Sequence, residues 1–501
     1  MLSSILGKAV GKAVGWTVYS IVFLSFACGN SASTPPKVLD HSAEITSGNA
    51  LIAQVTATLD SEGLAYVEYQ SQDSGKFRTP TTPELAAEHV IPIVRLTPST
   101  TYAYIVVSID DKGNEFRSKE GSFTTGVLPE ALSTLQFEHH GRPTSELLLL
   151  DHREVEGSVL FMLNQDSKIV WYYISPNPVE GTPHPTTGLV QKANGNILYH
   201  LSNPFEMCCI REITPLGEIV DNLDAGAFSG VPHRDLTLLP DGRVLYPAWN
   251  YQLIDDSPNG GDAKTLVEGL TLRVWNQQSG LTREVWNAFD SIGTDVRVDW
   301  DTGRVERYPG QITLQETLKP IRWTGANSVQ IGPRGNIIVS IVNLSKIISI
   351  SPDFERVEWT LGGPESTYIF EDPSNKFYRQ HSAQQLPNGN ILLFDNGRGR
   401  PEEEGGEYSR ALELVLGDYD LVATKVWEYR HSPDLYAKNR SSAFRLENGN
   451  TLLNFVTDPR VVVEVDPEAN EVYKVQISGP RMQGSFRAYT VPSVMGETSI
   501  D

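Results

Sequence analysis

Two histidines are the residues of this chain best suited to do chemistry. His381 lies in "RQHSAQQLPNGN" and His233 lies in "VPHRDLTLLPDG", each a few residues before a turn. A neutral imidazole is nucleophilic near neutral pH and can also carry a proton as a general acid or base. The alternative for each is a histidine buried and hydrogen-bonded in the core, so the choice depends on the elements that position it.

The turns after these histidines belong to an internal repeat. Five similar segments each join two apolar runs through residues that tolerate positive φ, which predicts five β-hairpins. They are "ANGNIL" at Ala193, "PDGRVL" at Pro240, "PRGNII" at Pro333, "PNGNIL" at Pro387 and "ENGNTL" at Glu447.

Six further hairpins interleave with these turns, as in "GSVLFMLNQDSKIVWYY" and "TLRVWNQQSGLTREVW". Their spacing of roughly 50 to 70 residues predicts an all-β fold of six four-stranded blades around a central channel, a six-bladed β-propeller. Only one strand, "SELLLLD", precedes the first of them, so we expect the C-terminal "GSFRAYTVP" to supply the missing inner strand and close the ring. A double β-sandwich is the alternative fold, but it does not need a regular repeat of this length.

The inner strands of a propeller line its channel, and residues at their entrances converge on one site. We expect His233 and His381 to occupy equivalent positions in different blades and to face each other across the channel. The residues at similar offsets before the turns are His233, Gly325, His381, and Ser441 or Ser442.

Residues 41–126 are predicted to form a small separate β-sandwich, because "ALIAQVTATLD" alternates apolar and polar residues as a half-buried strand does. The segment "LTPSTTYAYIVVSID" carries an L-x-P-x-T-x-Y pattern that resembles a fibronectin type III domain. In that resemblance Tyr102 is the corner tyrosine, with its hydroxyl hydrogen-bonded to nearby backbone. We interpret this domain as a spacer or docking module.

Residues 1–27 are predicted to be a signal peptide, because two lysines precede an apolar run that is too short for a comfortable membrane span. Cys28 follows "LSFA", an imperfect lipobox, which predicts lipidation of Cys28; cleavage near Ala32 is the alternative. Residues 28–40 would then form a linker. We expect an exported protein, periplasmic or held at the membrane only as a lipoprotein.

The overall composition narrows the partners. A formal net charge of -21 and a pI near 4.9 make nucleic acid an unsuitable partner. Cys208 and Cys209 are adjacent and are predicted to be two buried thiols, with a strained disulfide between them as the alternative. The histidines are scattered without a metal-binding spacing, so we expect no metal site and no cofactor.

Several segments resemble the bacterial arylsulfate sulfotransferase family from about residue 136 to residue 490. They are "VPHRDLTLLPDGRVL", "WTGANSVQIGPRGNIIVS", "QHSAQQLPNGNILLFDNG", "YSRALEL" and "VWEY". The resemblance implies a six-bladed propeller, here residues 127–501, after a small N-terminal β-domain. It also implies transfer of a sulfuryl group from an aryl sulfate to a phenol without a nucleotide donor.

The same resemblance implies roles for both histidines. His381 would take the sulfuryl group as a covalent intermediate, and a labile sulfohistidine splits one transfer into two steps. His233 matches the family's other histidine and would serve as general acid and base for the phenol, whose pKa is near 10. Asp235 is expected to be a structural hydrogen-bond partner.

This chain departs from the family pattern at several positions. Gly325 stands where the family has a histidine, and Val342 or Asn343 stands where it has an arginine. Gly484 and Ser485 stand where the family often has a threonine and a histidine. Loss of one group that stabilises the charged oxygens typically costs about 100- to 1,000-fold in rate.

Cations or amides must bind the sulfuryl oxygens. Asn327 matches the family and is one candidate, and we take Arg487 and Arg400 as the others. The alternative for each arginine is a solvated or paired side chain. The arginines that flank channel segments are Arg322, Arg379, Arg400 and Arg487.

Three functions remain open on the sequence. The first is an active sulfotransferase acting on small aryl sulfates and phenols. The second is a related enzyme, such as a sulfatase, in which water or another alcohol accepts the group. The third is a ligand-binding propeller that has lost turnover, which the missing histidine and arginine favour.

Overall fold

A computed structural model describes residues 34–153, 157–176, 186–201, 209–224, 230–259, 262–293, 320–480 and 485–500. The predicted signal peptide, Cys28, Cys208 and Gly484 lie outside these residues, so the leader and its lipidation remain predictions. Cys209 is a buried thiol in a strand. In the described part of the chain, no helix is long and apolar enough to cross a membrane.

The N-terminal domain is a β-sandwich, and its long second strand takes part in both sheets. The alternating side chains of "ALIAQVTATLD" are buried as predicted. The hydroxyl of Tyr102 accepts a hydrogen bond from the backbone N–H of Thr97 at 2.9 Å, which confirms the predicted corner contact. The closer likeness to fibronectin type III stays a prediction. The strands are Val38–Ile45, Ala53–Ser71, Lys76–Arg78, Ala86–Ile93, Thr101–Ile109, Glu115–Arg117 and Gly121–Thr124.

The rest of the chain forms six blades, which confirms the six-bladed β-propeller. From the inner to the outer strand, blade 1 contains Ala488–Val491, Leu147–Arg153, Gly157–Asn164 and Ile169–Pro176, and blade 2 contains Thr186–Gln191, Ile197–Leu201, Cys209–Ile213 and Ile219–Asp224. Blade 3 contains Thr237–Leu238, Val244–Ile254, Thr265–Asn276 and Leu281–Asn287, and blade 4 contains Ala326–Ile331, Ile337–Ile341, Lys346–Ile350 and Val357–Leu361. Blade 5 contains His381–Gln385, Ile391–Asp395, Arg410–Leu416 and Val422–Tyr429, and blade 6 contains Ser442–Arg445, Thr451–Phe455, Arg460–Val465 and Glu471–Ser478.

Short elements complete the sheets. Gln136–Gly141 pairs with the outer strand of blade 6, and Thr498–Ile500 pairs with Lys76–Arg78 of the sandwich, so the last strand of the chain lies on the N-terminal domain. Ile321–Arg322 and Ile369–Phe370 add parallel edges to blades 3 and 5. The short helices are Glu130–Ser133, Ser257–Asn259, Ala288–Ser291, Val342–Leu344, Pro373–Asn375 and Glu402–Glu404.

The C-terminal strand closes the ring as predicted. Ala488 pairs with Leu150 and Val491 pairs with Leu147, so blade 1 takes its inner strand from the end of the chain. The five predicted hairpins are also present, and the glycine of each turn has a φ between 78° and 92°. A residue with a Cβ rarely adopts this left-handed conformation, which explains the regular glycine spacing.

Hydrogen bonds between neighbouring inner strands fix their relative register. Between blades 3 and 4, 4 and 5, 5 and 6, and 6 and 1, a backbone N–H of the second blade donates to a side-chain oxygen of the first. The pairs are Val329 to Asp235 at 2.8 Å, Ala383 to Ser328 at 3.2 Å, Ala443 to Ser382 at 2.9 Å and Ala488 to Ser442 at 3.5 Å. Asp235, Ser328, Ser382 and Ser442 are therefore equivalent positions.

This register corrects one prediction. The residue before each of these equivalent positions is Arg234 in blade 3 and His381 in blade 5. His233 lies one residue earlier, so the two histidines are not equivalent, and the counterpart of His381 in blade 4 is Asn327 rather than Gly325. The prediction paired residues of the same type, whereas the distance to the turn glycine is eight residues for Arg234 and His381 and nine for His233.

Candidate active site

His381 begins the inner strand of blade 5 and is buried. Its Nδ1 lies 2.7 Å from Oδ1 of Asn396 and 3.2 Å from the carbonyl oxygen of Arg379. Its Nε2 accepts the backbone N–H of Arg440 at 3.0 Å. Because Nε2 accepts a hydrogen bond, the proton of the neutral ring is on Nδ1 and the lone pair is on Nε2.

Burial is the main reason why the pKa of His381 is lowered to about 3, and the positive charge of Arg234 adds to it. The imidazole is therefore neutral at any pH at which the protein is expected to work. A neutral ring with its lone pair on Nε2 is the nucleophilic form of histidine.

His233 is the second predicted catalytic residue, and it is buried just before the inner strand of blade 3. Its ring centroid lies 5.0 Å from that of Trp249, and its Nε2 has no hydrogen-bond partner among the residues that the structure describes. Burial, followed by the charge of Arg234, holds its pKa well below the usual value. His233 is thus a second neutral imidazole, with one nitrogen uncommitted.

The positive charge of Arg234 acts on both imidazoles, and Arg234 was not among the residues predicted from the sequence to form the site. This half-buried side chain lowers the pKa of His381 and His233, and of His200 in blade 2, where burial is the larger cause and the pKa falls to about 4. One positive charge therefore acts on imidazoles from blades 2, 3 and 5. Its signal was the spacing: Arg234 precedes the turn glycine Gly242 by the same number of residues as His381 precedes Gly389.

Arg487 and Asp235 form a buried ion pair across the channel. Nη1 of Arg487 donates to Asp235 at 2.6 Å, and Nη2 donates to the backbone oxygen of Asn327 at 2.6 Å. Burial lowers the pKa of Arg487, but the carboxylate of Asp235 more than offsets this, so its pKa is raised. Asp235 has the predicted structural role, whereas the two terminal nitrogens of Arg487 hold blades 3 and 4 to blade 1.

Asn327 also makes a structural contact. Its Nδ2 donates to the backbone oxygen of Gln380 at 2.7 Å, while its Oδ1 has no partner in the part of the chain that the structure describes. The amide that was expected to donate to a sulfuryl oxygen instead holds the residue just before His381. Asn327 is therefore placed to fix the position of His381.

Arg400 lies in blade 5, behind His381. It pairs with Asp395 in a fully buried ion pair, and its guanidinium lies 3.9 Å from the ring centroid of Tyr408. Asp395 is followed by Asn396, which holds the Nδ1 of His381. Arg400 thus supports the strand end that orients His381. Contact between Arg400 and a substrate stays a prediction.

The two family departures in blade 4 are neighbours in space. Gly325 has a φ of 63°, and a Cβ added there would lie 2.9 Å from Nδ2 of Asn343 and 3.2 Å from Cγ1 of Val342. Nη1 of Arg379 donates to Oδ1 of Asn343 at 2.9 Å. The space that a histidine would need at position 325 is therefore occupied, and an arginine from blade 5 reaches the same place.

Metal ligands were not expected. Within the ranges that the structure describes, no group of three or more His, Cys, Asp or Glu side chains is placed to hold an ion. Ser485, one of the departures near the C-terminus, donates its hydroxyl to the backbone oxygen of Asp151 at 2.9 Å.

The profile of the arylsulfotransferase (ASST) family matches residues 137–486 of this chain. No curated protein matches this chain. Among solved structures, a protein of unknown function from Bacteroides caccae is 15% identical with a TM-score of 0.41, covering 69% of this chain and 98% of that one. A dihydro-heme d1 dehydrogenase is 11% identical with a TM-score of 0.32, covering 74% and 80%. Neither likeness is close enough to bear on the function.

Proposed function

Since the chain belongs to the arylsulfotransferase family, a family of transferase enzymes, we propose that it moves a sulfuryl group from an aryl sulfate to a phenol through a sulfohistidine at His381. The observation that carries this proposal is the state of His381. Its Nδ1 proton is held by Asn396 and its lone pair is on Nε2, in a ring that stays neutral. That combination is what nucleophilic attack on sulfur requires.

The first step forms a bond between Nε2 of His381 and sulfur and breaks the ester S–O bond, with the electron pair leaving on the phenolate. In the second step the acceptor oxygen attacks sulfur, the S–N bond breaks, and its electron pair returns to Nε2. Attack requires that the Arg440 N–H leave Nε2. A displaced N–H at this place is suited to donate to a sulfuryl oxygen.

His233 and Arg234 have complementary parts in the proposal. The uncommitted Nε2 of His233 is suited to take the proton of the acceptor phenol. The positive charge of Arg234, which lowers the pKa of both imidazoles, is suited to bind the anionic sulfate ester and stabilise the sulfuryl oxygens. Arg234 would thereby supply the cation that the family keeps at another position.

The test is covalent labelling with a ³⁵S-labelled aryl sulfate, followed by quenching and peptide mapping. The wild type should carry the label on the peptide that contains His381, and His381→Ala should carry none. His233→Ala should still be labelled but should pass the group to phenol about 100- to 10,000-fold more slowly. His140→Ala, at an exposed histidine, is the control and should behave as the wild type. Undiminished labelling of His381→Ala would overturn the assignment.

A second candidate is a ligand-binding propeller without turnover. It is favoured by one observation, that both nitrogens of His381 are already hydrogen-bonded. If Nε2 stays bonded to the Arg440 N–H, no label will appear on any histidine, although an aryl sulfate will still bind beside Arg234. A rate of phenol release above that of a His381→Ala/His233→Ala double variant would exclude this candidate.

The location of the protein is a separate proposal that rests on the leader sequence. We propose that residues 1–27 direct export and that Cys28 is lipidated, which would place the reaction outside the cytoplasm. Metabolic labelling with palmitate tests it. The wild type should be labelled and recovered with membranes, whereas Cys28→Ser should be unlabelled.

A further inference from the structure

A cavity lies in the channel, on the side of the equivalent positions that faces away from the two histidines. Its volume is about 320 Å³, and it begins at the Asp235–Arg487 ion pair. The inner strands of a propeller all run in the same direction along the channel, and the inner-strand residues of blades 3, 4, 6 and 1 that line the cavity lie at or after the equivalent positions. In blade 3 the cavity is lined by Asp235 to Thr237, whereas His233 and Arg234 precede it.

One wall of this cavity is aromatic. Phe444 of blade 6 and Tyr489 of blade 1 have ring centroids 5.4 Å apart and nearly parallel planes. Both side chains are half-buried, so part of their surface faces the cavity. Exposed aromatic surface of this kind stacks favourably on a flat ring.

Blades 4, 3 and 1 supply polar side chains that no described residue hydrogen-bonds. Gln330 of blade 4, Thr237 of blade 3 and Thr490 of blade 1 line the cavity and are half-buried. Their side chains make no hydrogen bond to any residue that the structure describes. A few convergent polar groups beside an apolar wall are typical of a small-molecule site of this size.

The charge of the cavity is balanced. Among the described residues that line it, Asp235 and Arg487 are the ionisable groups besides tyrosine, and they form an ion pair with an N–O distance of 2.6 Å. Burial raises the pKa of Tyr489 to about 12, so its hydroxyl is neutral. An anionic ligand would find no net charge to pair with here.

From these observations we propose that the cavity binds a neutral single-ring aromatic compound with hydrogen-bonding substituents, such as a phenol. The ring lies against Phe444 and Tyr489, and its hydroxyl reaches the amide of Gln330 or the hydroxyl of Thr237. This site differs from the one at the histidines in two ways: it rejects the sulfate ester, and it needs neither imidazole.

The experiment measures phenol binding by isothermal titration to the full chain and to the His381→Ala/His233→Ala double variant, in the absence of any sulfate donor. Phenol should bind both proteins with equal affinity at this site. Benzenesulfonate, which has the same ring and a negative charge, should bind the double variant at least about tenfold more weakly. Absence of phenol binding to the double variant, or equal affinity for benzenesulfonate, would overturn the proposal.

Variants of the double variant locate the site. Phe444→Ala should weaken phenol binding by about tenfold, and Phe444→Leu, which keeps an apolar side chain, by about threefold. Gln384→Ala is the matched control, because Gln384 holds the Arg445 N–H at 3.0 Å and does not line the cavity. Unchanged affinity in both Phe444 variants, or an equal loss in Gln384→Ala, would place binding elsewhere. The labelling test above is independent, so either proposal can fail alone.

Discussion

The channel entrances of blades 3 and 5 use the same ring of strand positions in opposite ways. In blade 5, both nitrogens of His381 are bonded, and the residue after it, Ser382, is a small neutral link to the next blade. In blade 3, His233 has an unpartnered nitrogen, and the linking residue is Asp235, which also holds a buried arginine.

The difference shows that the fold fixes where a side chain stands but not what it is free to do. Blade 5 orients an imidazole completely, whereas blade 3 leaves an imidazole uncommitted and brings the charge of Arg234 to it. Blade 5 therefore supplies an oriented imidazole, and blade 3 supplies an imidazole nitrogen without a partner among the described residues, together with a positive charge. The following predictions test whether the two entrances are as unequal as their contacts indicate.

The largest effect should come from the two linking residues. Asp235→Ala should lower the free energy of unfolding by about 3–5 kcal/mol, because it leaves Arg487 buried without its partner. Ser382→Ala removes the same type of link, to the Ala443 N–H, and should cost only about 1–2 kcal/mol. Urea denaturation of both variants gives the comparison, and equal losses would mean that the ion pair contributes nothing beyond the link.

Next in size is the effect of the two entrance arginines on turnover. Arg234→Met should lower kcat/KM for an aryl sulfate by about 100- to 1,000-fold, and Arg234→Lys should recover part of it, because the charge remains. Arg379→Met, which removes the blade 5 arginine bonded to Asn343, should have a much smaller effect. An equal loss in Arg379→Met would move the anion site to blade 5.

Blade 4 extends the comparison to a third entrance. Gly325→His restores the residue type of the family, but its Cβ would lie 2.9 Å from Nδ2 of Asn343. We expect it to destabilise the protein by about 1–3 kcal/mol more than Gly242→His and to gain no activity. Gly242 has a similar positive φ and no neighbour within 4 Å of an added Cβ, so it controls for backbone strain. Equal midpoints of thermal unfolding for Gly325→His and Gly242→His would contradict a steric clash with Asn343.

The last effect, which is small per pH unit, concerns the pH dependence of stability. The pKa of His381 is about 3 in the native protein and near 6.5 in the unfolded chain, so only the unfolded chain binds a proton there as the pH falls through this interval. Native stability should therefore be lost below pH 6.5, by about 1.4 kcal/mol per pH unit for this group. His381→Gln should reduce the slope by one proton, whereas His140→Gln, at an exposed site, should leave it unchanged. An unaltered slope in His381→Gln would show that His381 titrates normally.

The large-scale organisation was predictable because it repeats. Turn glycines with positive φ recur once in each of blades 2 to 6, and a single strand before the first outer hairpin required a partner from "GSFRAYTVP". These features follow from local sequence and from the need to pair every strand edge.

The site was predictable only in part. His233 and His381 could be picked out, and their relative register follows from their distances to the turn glycines Gly242 and Gly389, which differ by one residue. Asn327 and Arg487 form hydrogen bonds with residues that are more than 50 positions away in the chain. Arg234 was overlooked because the two histidines were paired by residue type, although Arg234 precedes Gly242 by the same number of residues as His381 precedes Gly389.

Ring closure by the C-terminal strand has a consequence for biosynthesis. Arg487, which donates hydrogen bonds to Asp235 and Asn327, belongs to a segment that is made after blades 2 to 6. A ribosome that has released blades 2 to 6 has therefore produced a channel with a gap in its wall and an unpaired Asp235. Competence to bind substrate should arise abruptly, when this final segment docks, rather than blade by blade.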